Sequence, residues 1–335
     1  MTVVSASAPG KIVLCGEYAV LDGAPAICMA VDRRARAVVS ASDTEFQTVR
    51  ASGYIDGEWS CTTRANGEIE WVGDEPCRGS LDLLSDVWAT TRIVGKFDIE
   101  MDTAEFVDPA SNLKLGLGSS AALTVALVTA LSNATGRADT AARDAADSHR
   151  RFQHGAGSGV DIAASLAGGV IEYRMQNSGS CRPLTMPAGL KYAVLWSGRP
   201  ASTSDKLKKL DQARRHKRPG TSTAGLCDAS ESIARCWIAG ATDKLIAEMP
   251  RYIRALRQFD VDHELGIFDA GHQELLDAAE RHRVVYKPCG AGGGDVGMVF
   301  AADREAVAEF AKTAAEGGCE LLNVSLESSG VILES

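Results

Sequence analysis

The sequence predicts an α+β fold divided into two domains. At 335 residues, the chain is longer than one hydrophobic core usually accommodates. Short apolar or alternating runs typical of strands dominate the first hundred residues, whereas the C-terminal half combines strands, glycine-rich hairpins and helices. We place the boundary in residues 176–190, which are rich in Gly, Ser and Pro, so that the domains cover residues 1–185 and 186–335.

Composition excludes several classes of protein. The net charge of −9 argues against a nucleic-acid partner and requires any small anionic substrate to be held by a local cluster of positive side chains. Nine cysteines, scattered without metal-ligand spacing, predict neither a disulfide framework nor a zinc site and fit a reducing cytoplasm. The N-terminus lacks the features of a signal peptide, and no uncharged apolar stretch is long enough to span a membrane. The oligomeric state is left open, with a homodimer among the alternatives.

The N-terminal segment predicts closely spaced strands. These cover residues 2–7, 12–14 and 26–31. Pro9-Gly10 and Asp22-Gly23 predict the turns between them. Lys11 lies between two apolar runs, so it is either an edge residue with its ammonium in solvent or a charge directed into a cleft.

The remaining elements follow from periodicity and turn residues. A half-exposed strand is expected near residues 34–38, exposed hairpins over 52–80, and another strand over 97–101. Helices are expected over 81–91, 141–153, 304–316 and, as two patterns, 224–259. Further strands are expected over 192–196, on both sides of 290–294, and at 331–333.

The stretch Lys114-Leu-Gly-Leu-Gly-Ser-Ser-Ala-Ala122 organises the chain. The apolar run 123–131 follows it and predicts a buried helix that ends before Gly136. Glycines allow close approach to a ligand, serines favour helix N-caps, and free N–H groups at a helix start attract anions. We interpret the stretch as a phosphate-binding loop, to which Lys114 adds a charge.

Other interpretations of this stretch compete with a phosphate-binding loop. An ordinary capped core helix remains open. A Rossmann fingerprint is disfavoured because residues 108–112 predict a turn, rather than a strand, before the glycines. A Walker loop lacks the required Gly-Lys-Ser/Thr.

Two later glycine clusters and one basic segment add candidates. Asp161 follows Gly155-Ala-Gly-Ser-Gly159 and either caps a helix or places a carboxylate at a glycine-lined site. The cluster 290–294 would be costly in a strand unless a ligand or helix approaches closely. Residues 206–218 are strongly basic. They form either a solvated helix end or a mobile edge of the site that screens the charge of phosphates.

Together these motifs resemble the GHMP kinase superfamily over essentially the whole chain. Ala8-Pro-Gly-Lys11 with Gly16-Glu17 is similar to its first motif, Gly116 to Ala122 to its ATP-phosphate loop, and Gly290 to Asp295 to its third motif. The resemblance implies a ribosomal-protein-S5-like N-terminal domain, a ferredoxin-like C-terminal domain and Mg²⁺-ATP in the cleft between them.

Within the superfamily, the motifs are most similar to phosphomevalonate kinases. Tyr18 stands where mevalonate kinases usually have histidine, and Lys114 precedes the loop as in phosphomevalonate kinases. Cys289 departs from the more common serine. Arg150 stands where mevalonate kinases have a metal-binding glutamate, so the second metal ligand is unassigned.

The resemblance also implies residue roles. Lys11, Lys114 and Asp161 would be catalytic, and Ser120 would bind Mg²⁺. The ATP-binding residues would be Gly116, Leu117, Gly118, Ser119, Ser120 and Ala121. The substrate-binding residues would be Tyr18, Ser158, Ser202, Gly290, Ala291 and Gly292.

The expected activity is ATP-dependent phosphorylation of mevalonate 5-phosphate. A kinase acting on a hydroxyl of mevalonate or a sugar is the first alternative. A decarboxylase of the same superfamily or a non-catalytic ATP-binding relative is the second, although intact Lys11, Ser120 and Asp161 disfavour a sensor.

Overall fold

A large, mostly antiparallel sheet forms the N-terminal half. The computed structural model describes residues 3–64, 68–73, 80–175, 179–216 and 221–334. In these residues the sheet has nine strands: β1 (Val3–Cys15), β2 (Ala26–Ala41), β3 (Gln47–Ser52), β4 (Gly57–Thr63), β5 (Ile69–Val72), β6 (Phe97–Asp102), β7 (Val170–Arg174), β8 (Ser180–Leu184) and β13 (Ile332–Glu334). Its main path runs β13-β1-β2-β6-β3-β4-β5, and β7 pairs with β2 and β8.

The first two predicted strands form one continuous strand, β1. The expected turn at Pro9-Gly10 is wrong, because the pairing with β2 only shifts register there, as at a bulge. A Cβ on Gly10 would lie 2.6 Å from the carbonyl oxygen of Leu117 and from the ring of Phe106. The glycine therefore permits a close approach within the strand.

The connection from β1 to β2 also differs from the prediction. A short 3₁₀ turn, Ala19–Asp22, ends at Gly23, where a tight hairpin was expected at Asp22-Gly23. The chain between Cys15 and Ala26 forms a loop that brings Glu17 and Tyr18 to the interior.

Four helices cover the large sheet. They are α1 (Ser80–Thr91), α2 (Ser119–Ala134), α3 (Ala141–Phe152) and α4 (Val160–Ala167). The predicted buried helix is confirmed as α2, which packs on β1 and β2 and contacts the other three helices. Burial fixes the start of α2, and with it the glycine loop, against β1.

The C-terminal half has the expected ferredoxin-like topology. Its four described strands are β9 (Lys191–Trp196), β10 (Val285–Pro288), β11 (Val296–Ala301) and β12 (Glu320–Leu322), in the antiparallel order β10-β11-β9-β12. Its described helices are α5 (Thr203–His216), α6 (Thr221–Ile238), α7 (Thr242–His263), α8 (His272–Arg281) and α9 (Arg304–Glu316). Among the helices of the described ranges, none is long and apolar enough to cross a membrane.

The chain passes from one sheet to the other between β8 and β9. β8 still pairs in the large sheet and β9 begins the second sheet, but β13 returns at the end of the chain to pair with β1. The division at residue 185 stays a prediction.

A buried ion pair joins the two halves. Lys287 on β10 contacts Glu17 of the β1–β2 loop, and both side chains are almost fully buried. Tyr252 on α7 donates its hydroxyl to the same carboxylate and accepts a 2.8 Å hydrogen bond from the Gly16 amide. The contact therefore fixes the first glycine motif against the third.

We expect Lys287→Met to destabilise the protein by about 3–5 kcal/mol, because it leaves the Glu17 charge buried without its partner. The double variant Glu17→Gln/Lys287→Met should recover much of that loss. Urea unfolding measures both changes in the free energy of unfolding.

Lys312→Met is the matched control, because Lys312 forms an ion pair with Glu309 on the exposed face of α9. It should leave the unfolding midpoint close to wild type, since exposed ion pairs contribute little. Equal effects of Lys287→Met and Lys312→Met would contradict the importance of the buried pair.

Candidate functional site

The predicted phosphate loop lies at the start of α2, with its glycines in left-handed conformations. Gly116 has φ 77° and Gly118 has φ 81°. The expected serine cap is wrong, because Gly118 is the N-cap and Ser119 and Ser120 are the first helical residues. Their hydroxyls are therefore not used to cap the helix, and the amides at the helix start remain a site for an anion.

Both loop glycines have close neighbours. A Cβ on Gly116 would lie 2.2 Å from the Cβ of Asp295, and one on Gly118 would lie 2.9 Å from Cε of Lys11. Asp295 ends the third glycine motif, just before β11. The three motifs of the sequence thus meet at one point.

A cavity of about 480 Å³ opens at this junction. The predicted residues that line it are Lys11, Lys114, Gly116, Gly118, Ser119, Ser120, Asp161, Ser202, Gly290 and Ala291. A smaller cavity of about 80 Å³ adjoins it, and its predicted residues are Lys11, Tyr18, Ser158, Asp161, Gly290 and Ala291. Lys11 and Asp161 lie at the boundary between the two cavities.

Three predicted site residues line neither cavity. Leu117 and Ala121 have buried side chains, and the Leu117 carbonyl accepts a 2.8 Å hydrogen bond from the Lys11 amide. Gly292 packs against Ile267, where a Cβ would lie 2.5 Å from the isoleucine side chain. Gly292 therefore allows a close backbone contact within the C-terminal half.

Lys11 and Asp161 form a partly buried ion pair. Lys11 projects from β1, and its Nζ lies 3.5 Å from Oδ1 of Asp161, the second residue of α4. Gly159 rather than Asp161 is the N-cap, which removes the interpretation of Asp161 as a cap. Burial alone would lower the pKa of Lys11, but Asp161, Cys28 and Asp295 together outweigh it, so the pKa lies above its ordinary value and the lysine stays charged.

Tyr18 holds the two halves together beside the smaller cavity. It has φ 60°, an uncommon conformation for a large side chain, and its hydroxyl donates a 2.6 Å hydrogen bond to the Ala291 carbonyl. Burial raises the pKa of Tyr18, with the nearby Asp260 and Glu17 adding to the effect. The residue is therefore a neutral donor at physiological pH.

The two predicted substrate serines make local hydrogen bonds. Ser158 accepts at its backbone oxygen from Tyr173, and its Oγ accepts from the Val160 amide at 3.3 Å. The Oγ of Ser202 accepts from the Asp205 amide at the start of α5. Each serine thus stabilises the beginning of a helix that borders a cavity.

His149 is a site residue that the sequence analysis missed. It lies on α3, almost fully buried, and its Nε2 is 3.2 Å from Oγ of Ser120. Burial lowers its pKa to about 4, with Asp161 opposing and Lys11 reinforcing the shift. A neutral imidazole therefore orients the Ser120 hydroxyl, and helical periodicity alone gave no signal for it.

Asp295 was also missed as a cavity residue, although its motif was recognised. Its Oδ1 accepts a 2.9 Å hydrogen bond from the Ala201 amide. Burial raises its pKa to about 6, whereas that hydrogen bond and the charges of Lys11 and Lys114 act in the opposite direction. A partly buried carboxylate thus lines the larger cavity together with two lysines.

Part of the basic segment on α5 makes contacts with other elements. Lys206 donates to the carbonyls of Leu265 and Gly266, and Arg214 lies 2.5 Å from Asp22. The rest of that segment, 217–218, lies outside the described residues. These contacts dock α5 beside the smaller cavity, which Thr203 and Leu207 line.

Comparison with known proteins finds relatives of this chain in one family of kinases. The model of the GHMP kinase N-terminal domain matches residues 86–169. The phosphomevalonate kinase of Streptomyces sp. strain CL190 is 31% identical over 335 residues, covering 88% of each chain. The mevalonate kinase of Thermococcus onnurineus is 26% identical over 336 residues, covering 97% of each.

Similarity to solved structures extends over the whole fold. The structure of Streptococcus pneumoniae phosphomevalonate kinase in complex with phosphomevalonate and AMPPNP superimposes with a TM-score of 0.77 at 18% identity. The match covers 97% of this chain and 100% of that one.

The three converging glycine motifs and the full-length relatives lead to one conclusion: the chain belongs to the GHMP kinase family and is a phosphotransferase. Its relatives among phosphomevalonate and mevalonate kinases place it with the kinases of the mevalonate pathway.

We expect Gly116→Ala to abolish measurable nucleotide binding, because the new Cβ would collide with Asp295 in addition to straining a left-handed residue. Gly136→Ala is the matched control, since Gly136 has φ 70° and no atom lies within 4 Å of the point that a Cβ would occupy. This variant should lower the free energy of unfolding by about 1 kcal/mol, because of conformational strain alone, and should leave nucleotide binding intact. Calorimetric titration with AMPPNP measures both variants, and tight binding by Gly116→Ala would contradict the close approach.

Asp295→Asn should stabilise the protein in a pH-dependent manner. An unfolded aspartate loses its proton near pH 3.8, whereas Asp295 keeps it until about pH 6 in the folded state. The folded wild type therefore loses stability relative to the variant as the pH rises between these values. The variant should be more stable than wild type by about 1–3 kcal/mol above pH 6, and the difference should vanish towards pH 4. Urea unfolding at several pH values tests this, and a pH-independent difference would contradict it.

Proposed function

We propose that the protein transfers the γ-phosphoryl group of ATP to the phosphate of mevalonate 5-phosphate, forming mevalonate 5-diphosphate and ADP. The observation that carries this proposal is Lys114. Its ammonium lies at the larger cavity, and no described carboxylate lies within 4 Å of it. With Lys11 it gives an otherwise acidic protein two cations at one cavity.

ATP would bind with its phosphates on the loop from Gly116 to Ala121. The amides at the start of α2 and the positive end of the helix dipole suit β- and γ-phosphate oxygens. Leu117 and Ala121 contribute here through backbone groups, since their side chains are buried. The AMPPNP in the pneumococcal structure supports a nucleoside triphosphate as the phosphoryl donor.

The oxygen donors present fit a magnesium ion held mainly by ATP. Mg²⁺ usually takes one or two protein oxygens and fills its remaining positions with phosphate and water. Ser120 lines the larger cavity and would supply such an oxygen. Bound Mg²⁺ would neutralise charge on the β- and γ-phosphates. No described group of three His, Cys, Asp or Glu forms a self-sufficient metal centre.

Lys11 and Asp161 would position the acceptor and stabilise the transferring group. A phosphate monoester has its second pKa at about 6 and is mostly a dianion at neutral pH, so it needs no base to become a nucleophile. Asp161 keeps Lys11 in place through their ion pair. Lys11 would then stabilise the charge that develops as the phosphoryl group moves.

The test compares acceptors directly. ADP release should be measured with mevalonate 5-phosphate, mevalonate and galactose at saturating ATP. We expect kcat/KM for mevalonate 5-phosphate to exceed the others by at least ~10-fold, since one charge-assisted hydrogen bond alone has about this effect. Preferential use of mevalonate or galactose would overturn the proposal.

Asp161→Asn separates a phosphate acceptor from a hydroxyl acceptor. With mevalonate 5-phosphate we expect the variant to retain a substantial fraction of kcat, because no proton has to be removed. A hydroxyl acceptor would instead lose ~10²–10⁴-fold, the usual contribution of a positioned base. A pH–rate series on both enzymes measures the difference.

Asp147→Asn is the control for Asp161→Asn, because Asp147 is an exposed carboxylate paired with Arg150 on α3. It should leave kcat and KM at wild-type values. A collapse of kcat in Asp161→Asn with mevalonate 5-phosphate would contradict a purely positioning role for Asp161.

A further inference from the structure

Lys114 lies against an aromatic ring that the sequence analysis did not connect with it. Its Nζ is 3.7 Å from the centroid of the Tyr54 ring. Tyr54 lies in the loop between β3 and β4, and Lys114 immediately precedes the phosphate loop. Both residues line the larger cavity together with Gly116.

The backbone of Lys114 is fixed, whereas its side chain depends on the ring. Lys114 pairs with Val107 in an isolated β-bridge, and the Leu115 amide donates to the Phe106 carbonyl at 2.9 Å. Beyond the backbone, the ammonium has only the Tyr54 ring within contact among the described interactions. A lysine side chain has several rotatable bonds, so the ring restricts a group that would otherwise sample many positions.

The surroundings favour an anion at this ammonium. Burial lowers the pKa of Lys114, and the charge of Asp295 only partly opposes this. The face of an aromatic ring attracts a cation but cannot neutralise it. A bound phosphate would favour the charged form of this ammonium, which lies beside the phosphate-binding loop with the Tyr54 ring against it.

We propose that Tyr54 is a positioning residue that holds the Lys114 ammonium over the phosphate loop, ready to bind a phosphate group of a substrate. This inference rests on the proposed function, in which Lys114 binds a phosphate. The hydroxyl of Tyr54 takes no part, because it makes no hydrogen bond among the described residues. Because the ring already restricts the lysine side chain, less conformational entropy is lost when a phosphate binds.

The experiment is a double-mutant cycle between Tyr54 and Lys114. Tyr54→Leu should raise the KM for the phosphate-bearing substrate by about 3- to 30-fold, the range for a partly desolvated cation–π contact, with a smaller effect on kcat. Tyr54→Phe keeps the ring and should restore KM to near the wild-type value. In the Lys114→Met background, Tyr54→Leu should have no further effect, because the group it positions is absent.

Phe46→Leu is the matched control. Phe46 is a loop aromatic beside β3 with an exposed fraction of 46%, close to the 44% of Tyr54, and no described cation lies against its ring. It should leave every kinetic constant at its wild-type value. The proposal is overturned if Tyr54→Leu changes KM less than twofold, if Tyr54→Phe is as impaired as Tyr54→Leu, or if the effect persists in Lys114→Met.

The source of the phosphate is resolved by measuring each substrate separately. An effect on the KM of mevalonate 5-phosphate assigns Lys114 to the acceptor, whereas an effect on the dissociation constant of AMPPNP assigns it to the nucleotide. If the wild-type enzyme does not use mevalonate 5-phosphate, the proposed function fails. The role of Tyr54 is then decided by the same double-mutant cycle, with the dissociation constant of AMPPNP as the measured quantity. Absence of coupling in both measurements overturns that role.

Discussion

The buried ion pair between Glu17 and Lys287 is the contact on which the site depends. It lies between the large sheet and the four-stranded sheet, in the region where the first and third glycine motifs meet. Two charges removed from water are stable only when both are present and well bonded, and Tyr252 completes the bonding of the carboxylate. The pair therefore favours one relative position of the two halves, which Tyr18 reinforces through its bond to Ala291.

Close backbone approach explains the high glycine content of the motifs. Gly10 makes room for the Leu117 carbonyl oxygen, Gly116 for Asp295, and Gly118 for Lys11. Each of these contacts connects a different part of the chain to the phosphate loop. The glycines thus allow side chains from distant elements to surround one cavity, and two of them adopt left-handed conformations that other residues rarely take.

The elements of the fold were largely predictable because their signals are local. The apolar run 123–131 identified α2, and the glycine cluster between two apolar strands identified the β10–β11 hairpin. The expected turn at Pro9-Gly10 failed because the residues that use Gly10 are about one hundred positions away. The same applies to the serine cap, since Gly118 is the N-cap and Lys11, from a distant strand, packs over it.

The site was predictable only where a motif contained its residues. Lys11, Ser120 and Asp161 belong to recognisable motifs, and the ion pair between Lys11 and Asp161 matches the expectation. His149 and Tyr54 lie in segments without distinctive sequence and reach the site only through tertiary packing. Their roles depend on which side chain they contact, and a single sequence does not contain that information.

The chemistry of the site follows from concentrating positive charge in an acidic protein. Lys11 and Lys114 line one cavity. Lys11 forms an ion pair with Asp161, and the Lys114 ammonium lies against the ring of Tyr54. The proposed transfer between two phosphate-bearing substrates depends on this concentration of positive charge.

The identity of the acceptor atom, a phosphate oxygen in the proposed reaction, can be read from ³¹P NMR of the product. With ATP and mevalonate 5-phosphate, we expect loss of the monoester resonance and growth of two mutually coupled diphosphate resonances in addition to those of ADP. An unchanged monoester resonance, with a new monoester formed when mevalonate is supplied, would contradict transfer to a phosphate oxygen.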